Sequence, residues 1–270
     1  MLWSLGGLIV RSLHTADPWT TIFWRSSFAI VALLVFIVVR NGWGGLKLFL
    51  HMGLPGILVG LCFTCASVGF VTALSLASVA QTLVIMSSAP LIAAVLGRIV
   101  LGERIRPAGY LSIAAVMAGI ALMMSSDTGE GRSFAGALVA LAVAISLAGA
   151  IVVTRKFPHI RMTPAACAGT VLAMLISLPL AAPFSVDAHD LGLLALFGAG
   201  QLGIGLVLFV TGARLIPAAQ SALLGMLEPI LGPAWVWLLL GEQPATVTLI
   251  GGTIVIASVL GNTLAGLRRR

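Results

Sequence analysis

The sequence predicts an all-α membrane protein, ten transmembrane helices in a five-plus-five inverted repeat, and three observations carry that prediction. The first is composition. Of 270 residues, 60% are hydrophobic and 9% charged, and the mean hydropathy is +1.14, where a soluble domain carries roughly a quarter charged residues. The second is segmentation. Apolar runs recur at about 1–14, 19–39, 50–73, 78–100, 108–125, 134–155, 164–182, 190–212, 218–240 and 246–266, most of them near the ~20 residues that cross a bilayer as helix. The loops between them are short and rich in Pro, Gly, Asp and Arg. The third is repetition. Phe70 to Glu103 realigns on Phe209 to Glu242 after a shift of 139, without gaps, with 10 identities in 34 positions. Apolar bias does not match Gln81 with Gln220, Pro90 with Pro229, and Leu101-Gly102-Glu103 with Leu240-Gly241-Glu242 at fixed spacing. So long a unit in a membrane chain marks two structural halves around a shared site, here 1–126 and 127–270.

Charge sets the orientation. With the amino terminus in the cytoplasm, the cytoplasmic loops and tail hold Arg40, Lys47, Arg104, Arg106, Arg155, Lys156, Arg161, Arg214, Arg268, Arg269 and Arg270, eleven of fifteen basic residues. The outer loops hold Asp17, Asp127, Glu130, Asp187, Asp190 and Glu242, with Arg132 their one basic residue. This obeys the positive-inside rule and puts both termini in the cytoplasm. Five spans separate the repeat copies, an odd number, so the second crosses in the opposite sense. Glu103 is then expected at the cytoplasmic end of its span beside Arg104 and Arg106, and Glu242 at the outer end of its own with no basic neighbour.

In chain order, the first span carries Ser4–Gly7 (SLGG), which resembles SLAG at Ser146–Gly149 in the sixth. A helix from 1 to 14 reaches roughly 20 Å of a ~30 Å hydrocarbon core, so the first span reads as about ten residues short. Met1 leads into a span that reads as part of the fold, and no cleavable signal peptide is evident. Arg11 lies near the outer end, where snorkelling suffices to explain it. The second span places Arg25 about two turns in, as a holder of a substrate carboxylate or, more plainly, an anchor paired with Asp17. Trp3, Trp19, Phe23 and Trp24 form either an aromatic wall at the outer mouth or an ordinary interfacial belt. The third and eighth spans are rich in small residues, among them Gly56, Gly60, Gly69, Gly198, Gly200 and Gly203, which let helices approach closely. Thr64, Ser67 and Gln201 within them, with Ser87 and Ser88 of the fourth span, are candidate polar contacts.

The fourth and ninth spans carry the repeat. Pro90 and Pro229 sit near mid-span, and a proline removes one helical hydrogen bond and clashes with the preceding turn. Inside a membrane such breaks persist where protein or a wet cavity satisfies the freed backbone, and matched breaks in two halves point to a binding site. Gln81 and Gln220 near the starts of these spans serve as gates or as interhelical glue. Glu228 is the one acid deep in a span, opposite Ala89 in the first copy. A charge at mid-bilayer costs about 2.5–3.5 kcal/mol on insertion scales, so Glu228 faces a cavity, finds a cation or is protonated. Its position before Pro229 suits proton coupling. Arg98 can snorkel, and the fifth and tenth spans, poor in polar residues, read as peripheral.

Several classes are excluded. The net charge of +7 and pI near 10.7 do not indicate nucleic acid, because the basic residues sit at span ends without interleaved aromatics. Cys62 and Cys65 form a CxxC inside an apolar run with no second pair, which reads as helix packing, like Cys167. The four histidines are scattered near span ends. No HExxH, GxSxG, P-loop or dinucleotide motif appears, so neither catalysis, metal nor cofactor is expected.

Ala80-Gln81, Pro90 and Leu101-Gly102-Glu103, repeated as Gln220, Glu228-Pro229 and Leu240-Gly241-Glu242, with Arg25 and the Gly251-Gly252 run, resemble the EamA-domain branch of the drug/metabolite transporter superfamily. The likeness covers essentially the whole chain. The first span is short, Ser112 stands where the second copy has Gly251, and Glu228 has no twin. The resemblance implies a bacterial inner-membrane exporter of amino acids or similar metabolites, with a general likeness to aromatic-amino-acid exporters of the YddG type. It implies a bilayer and a small-molecule substrate as partners, and alternating access through a central cavity. The residues expected at that cavity or its gates are Arg25, Trp24, Thr64, Ser67, Gln81, Ser88, Pro90, Gln201, Gln220, Glu228 and Pro229. Efflux of lipophilic cations with Glu228 as counter-charge and a channel-like conduit without alternating access are the competing readings. A nucleotide-sugar carrier lacks a basic cluster inside the spans.

Overall fold

The computed structural model describes residues 2–14, 17–103, 105, 107–124, 132–158, 162–212, 224–225 and 227–267. Gln220, Arg104, Arg106, Arg161, Arg214 and the arginine tail lie outside the described residues. All regular structure among the described residues is helical. A 3-10 turn at Trp3–Leu5 leads into α1 (Gly6–Ser12), followed by α2 (Pro18–Asn41), α3 (Gly53–Leu76), α4 (Val79–Met86), α5 (Ala89–Leu101), α6 (Pro107–Met124), α7 (Arg132–Lys156) and α8 (Met162–Ser177). Then α9 (Ala188–Ala195) runs through a π-helical stretch, Leu196–Ile204, into α10 (Gly205–Gly212). The last helices are α11 (Glu228–Leu240) and α12 (Thr246–Leu267). Among the described residues six helical stretches are long and apolar enough to cross a membrane: Pro18–Asn41, Gly53–Leu76, Val79–Leu101, Ser133–Lys156, Ala188–Leu208 and Thr246–Leu264. Shorter apolar helices include Gly109–Met124, Thr163–Ser177 and Glu228–Leu240.

The helices are apolar on both faces, the pattern of helices with protein on one side and lipid on the other. On α2, Ala29, Leu33 and Ile37 are buried while Val31, Val35 and Val39 are exposed, and on α3 Leu54, Ile57, Leu58 and Leu61 are exposed. Local chemistry sets the ends. Asp17 caps α2 by accepting from Trp19 N (3.2 Å) and Thr20 N (2.9 Å), with Pro18 in the first turn where its missing N–H costs nothing.

The repeated segment is broken in both copies just before its proline. In the first, α4 stops at Met86 and α5 starts at Ala89. Ser87 N and Ser88 N tighten the turn by donating to Val84 O and Ile85 O, both at 3.1 Å. The hydroxyls of Ser87 and Ser88 donate to the same two carbonyls, each at 2.6 Å, supplying bonds within a stretch where Pro90 can donate none. In the second, Leu227 N donates to Leu224 O (3.2 Å) and α11 begins at Glu228-Pro229. Both copies stop alike. Gly102 (φ 69°) and Gly241 (φ 71°) close α5 and α11 in the left-handed conformation that glycine alone adopts without strain.

α3 packs against α7 and α8, α2 against α8 and the π-helical stretch, α4 and α5 along α7, and α6 on α12. α11 lies on α4 and on the first helix. One cluster joins Ile9, Ile22, Phe70, Leu74, Val79, Leu83, Phe197 and Val236 from α1, α2, α3, α4, the π-helical stretch and α11. Another joins Leu91, Val116, Ile120, Met123, Ala140 and Val255 from α5, α6, α7 and α12.

Among the described residues two arginine–glutamate pairs join the sequence halves, and the first corrects the expectation. Glu242 has a basic neighbour: its Oε2 lies 3.0 Å from Arg11 Nε, while Arg11 Nη2 donates to Ala77 O at 3.0 Å. Arg11 is therefore a bridge and not only a snorkelling side chain. Glu103 pairs with Arg155 of α7 at 2.6 Å. Ala77 precedes the 79–101 stretch and Glu103 follows it, so the two pairs sit at opposite ends of that stretch.

Candidate functional site

Among the described residues, Arg25 is the one buried cation. Arg25, on the face of α2 turned inward, is 4% exposed. Its Cζ lies 4.5 Å from the centroid of Phe197 and 5.4 Å from that of Phe70, so two rings sheathe the guanidinium. Nη1 donates to Ser67 Oγ at 3.1 Å and weakly to Ser67 O at 3.4 Å. Nε is buried with no hydrogen-bond partner. No carboxylate pairs with Arg25 among the described residues, and the expected anchor to Asp17 is not formed, because Asp17 serves as the cap of α2. A buried, unpaired cation is costly; such a group recurs where a protein receives an anion.

The second polar group beside the rings is Gln201. It sits in the π-helical stretch one turn beyond Phe197. Its Nε2 donates to Trp3 O at 3.1 Å, while its Oε1 is buried without a partner. Gly6 makes this close approach possible: a Cβ there would lie 3.0 Å from Gln201 Nε2, 3.3 Å from Phe70 and 3.4 Å from Phe197. On the neighbouring interface, a Cβ at Gly198 would collide with Arg25 O. The SLGG of the first helix thus borders the buried Arg25–Gln201 site, and its other side meets α11, where Trp235 Nε1 donates to Ser4 Oγ at 3.3 Å. An unsatisfied donor and an unsatisfied acceptor sit among shared aromatic neighbours, complementary to a ligand that offers an anion and a donor.

The structure sorts the other expected residues by what they touch. Ser67 joins Arg25. Thr64 Oγ1 instead contacts Gly60 O (3.0 Å) and Gly169 O (2.9 Å), tying α3 to α8. Gln81 Oε1 accepts from Ser133 Oγ at 2.9 Å, tying α4 to α7. Trp24 donates to Pro183 O at 3.1 Å and stacks on Phe28, away from the Arg25 rings. Ser88 donates into its own helix break. Pro90 is exposed and Pro229 buried. Glu228 is half-buried in the first turn of α11, with no ion-pair partner among the described residues. It opens that helix at the end away from Arg11 and Glu242, where the helix dipole favours an acid. Gln220 lies outside the described residues. The sequence reading missed Gly6, Phe70 and Phe197. Phe70 opens the repeat, which was a signal; nothing local marks Phe197.

Known proteins bear on this geometry. The profile of the EamA-like transporter family matches the chain twice, over residues 1–125 and 134–264. The Pseudopaline exporter CntI of Pseudomonas aeruginosa (strain UCBPP-PA14) is 25% identical over 261 residues, covering 95% of this chain and 89% of that protein. The uncharacterized transporter YwfM of Bacillus subtilis (strain 168) is 26% identical over 212 residues, 75% of this chain and 71% of its own. A solved crystal structure shares the fold over 100% of this chain and 95% of its own, with a TM-score of 0.72 at 18% identity.

Proposed function

The chain belongs to the EamA-like transporter family and is a multi-pass membrane transporter, and we propose that it exports a small zwitterionic metabolite, an amino acid by preference, by alternating access. The observation that carries the substrate class is the unpaired Arg25 guanidinium between Phe70 and Phe197, with the open acceptor of Gln201 beside the same rings. Arg25 receives the carboxylate, Gln201 Oε1 the ammonium, and the aromatic walls an apolar side chain. The outward direction draws on the exporter among the relatives.

The halves of this carrier are 1–126 and 127–270, five spans each, in opposite senses. The doubled family match supports that division. Arg11 supports the inversion, because it meets the start of one copy at Ala77 and the end of the other at Glu242, as antiparallel copies would. The charge bias supports cytoplasmic termini, and the bacterial relatives support an inner membrane as the location. The Arg11–Glu242 pair then closes the outer end and Glu103–Arg155 the inner end, opening in turn as the halves rock. Pro90 and Pro229 set the hinges, Gln81, Thr64, Trp24 and Ser88 hold the helices that line the path, and Glu228 couples proton movement to transport. Gln220 is assigned by repetition to the inner gate. Efflux of lipophilic cations through Glu228 is the weaker alternative, because the buried polar site offers a positive charge.

Uptake by proteoliposomes tests this, using labelled amino acids, unlabelled substrate on the far side and an imposed proton gradient. Saturable uptake with trans-stimulation is the expected result. Arg25→Met loses about 30-fold in uptake, from ~2 kcal/mol for a hydrogen bond to a charged group. Amino-acid amides, which lack the carboxylate, are refused by the native protein itself. Native rates for the variant, or equal uptake of the amides, would remove Arg25 from the site. Conduction without trans-stimulation would replace the carrier by a channel.

A further inference from the structure

A second polar cluster stands apart from the Arg25 site, where the loop after α1 meets the start of α9. Asp187 caps α9 by accepting from Asp190 N at 2.7 Å. That turn presents Asp187, His189 and Asp190 together, and His14 arrives from 173 residues earlier in the chain. The His14 and His189 rings stack with centroids 4.7 Å apart and 18° between planes. His14 Nδ1 lies 3.5 Å from Asp187 Oδ2 and 3.9 Å from Asp190 Oδ1, and His189 Nδ1 lies 3.2 Å from Asp190 Oδ1. One potential ligand atom from each of the four residues falls within 4.8 Å of the others.

We propose that His14, Asp187, His189 and Asp190 form a binding site for a divalent transition-metal ion of the Zn²⁺ class. Bonds of about 2.0–2.2 Å in a tetrahedron put ligand atoms roughly 3.3–3.6 Å apart, so small side-chain movements close this set around an ion. Both imidazole Nδ1 atoms converge on Asp190 Oδ1, which already accepts His14 N at 3.1 Å. Imidazole nitrogens are common ligands of transition-metal ions. Asp190 is 1% exposed, and a carboxylate so buried gains from a cation at close range. Two nitrogens and two oxygens suit Zn²⁺, Co²⁺ or Ni²⁺ and not the all-oxygen preference of Ca²⁺ and Mg²⁺. The ligands join α1 to α9, at the end where Arg11 holds Glu242, so a bound ion clips these elements together.

Isothermal titration of ZnCl₂ into the purified, tag-free, chelator-treated protein in detergent is the test, with thermal unfolding followed in parallel. One Zn²⁺ per chain, a raised unfolding temperature and indifference to excess Mg²⁺ are expected. His14→Ala and His189→Ala, both at exposed rings, weaken binding by at least about tenfold, the lower bound for disturbing ligand geometry. A Cys62→Ser/Cys65→Ser double variant keeps the binding. Loss in the cysteine variant with retention in the histidine variants, or no stoichiometric uptake by the native protein, would overturn the site. Neither readout depends on which substrate is carried.

Discussion

The two copies of the repeated segment end alike and begin differently. Both α5 and α11 stop on a left-handed glycine, Gly102 or Gly241. Both pass into a glutamate that pairs across the sequence halves, Glu103 with Arg155 and Glu242 with Arg11. At the breaks the copies part. The first has Ser87 and Ser88 donating to the carbonyls of their own last turn, then Ala89 and an exposed Pro90. The second has no hydroxyl there; it has Glu228 and a buried Pro229. What the duplication kept is the helix break and the paired ends. What it did not keep is chemical, one acid at one of the two breaks.

The sharpest way to break that comparison is to give the first copy the second copy's acid. Ala89 is buried, so Ala89→Glu costs about 2.5–3.5 kcal/mol, the insertion penalty of a mid-span charge. It is read as a lower unfolding temperature in detergent. Native stability in this variant would mean that both hinges accommodate a carboxyl and that the asymmetry carries no meaning. The converse change is mild for the fold and severe for coupling. Glu228→Gln keeps shape and hydrogen-bonding capacity, so gradient-driven uptake drops to the undriven rate while exchange persists; driven uptake at native level would remove Glu228 from coupling.

How much of this was legible in the sequence follows from the range of each interaction. Helix breaks before Pro90 and Pro229 and the ends at Leu101-Gly102-Glu103 and Leu240-Gly241-Glu242 are set by a few consecutive residues, and the pattern displayed them; the cap at Asp17, equally local, was read instead as a partner for Arg25. Arg25 and Gln201 were visible as polar exceptions in apolar runs. Their surroundings were not, because Phe70 and Phe197 come from different helices and their meeting depends on packing. The π-helical stretch at Leu196–Ile204, which carries Phe197 and Gln201, has no local code. Arg11–Glu242 and the His14–His189 stack join residues more than 170 positions apart, beyond any periodicity.

The shared ends give the smaller effects. At Gly102 and Gly241 nothing lies within 4 Å of an added Cβ, so alanine meets only the left-handed strain, roughly 1–2 kcal/mol. Gly102→Ala and Gly241→Ala are therefore expected to lower stability by similar amounts in chemical or thermal unfolding; a large inequality would show that the ends differ in function after all.

The two ion pairs have the least to give to stability and the most to say about direction. Their side chains are 33% and 33% exposed for Arg11 and Glu242, and 50% and 39% for Arg155 and Glu103, so each is worth about 0–1 kcal/mol after solvent screening. Up to ~1 kcal/mol is enough to shift a two-state balance by about fivefold. If each pair closes one end, Glu242→Gln and Glu103→Gln move the ratio of inward to outward transport in opposite senses. The exchange Arg11→Glu with Glu242→Arg restores the balance without restoring the original charges. Transport in oriented vesicles, measured from each side, reads that ratio. A shift in the same sense for both variants would mean that the pairs fasten helices and gate nothing, and the likeness of the two ends would then be one of scaffold alone.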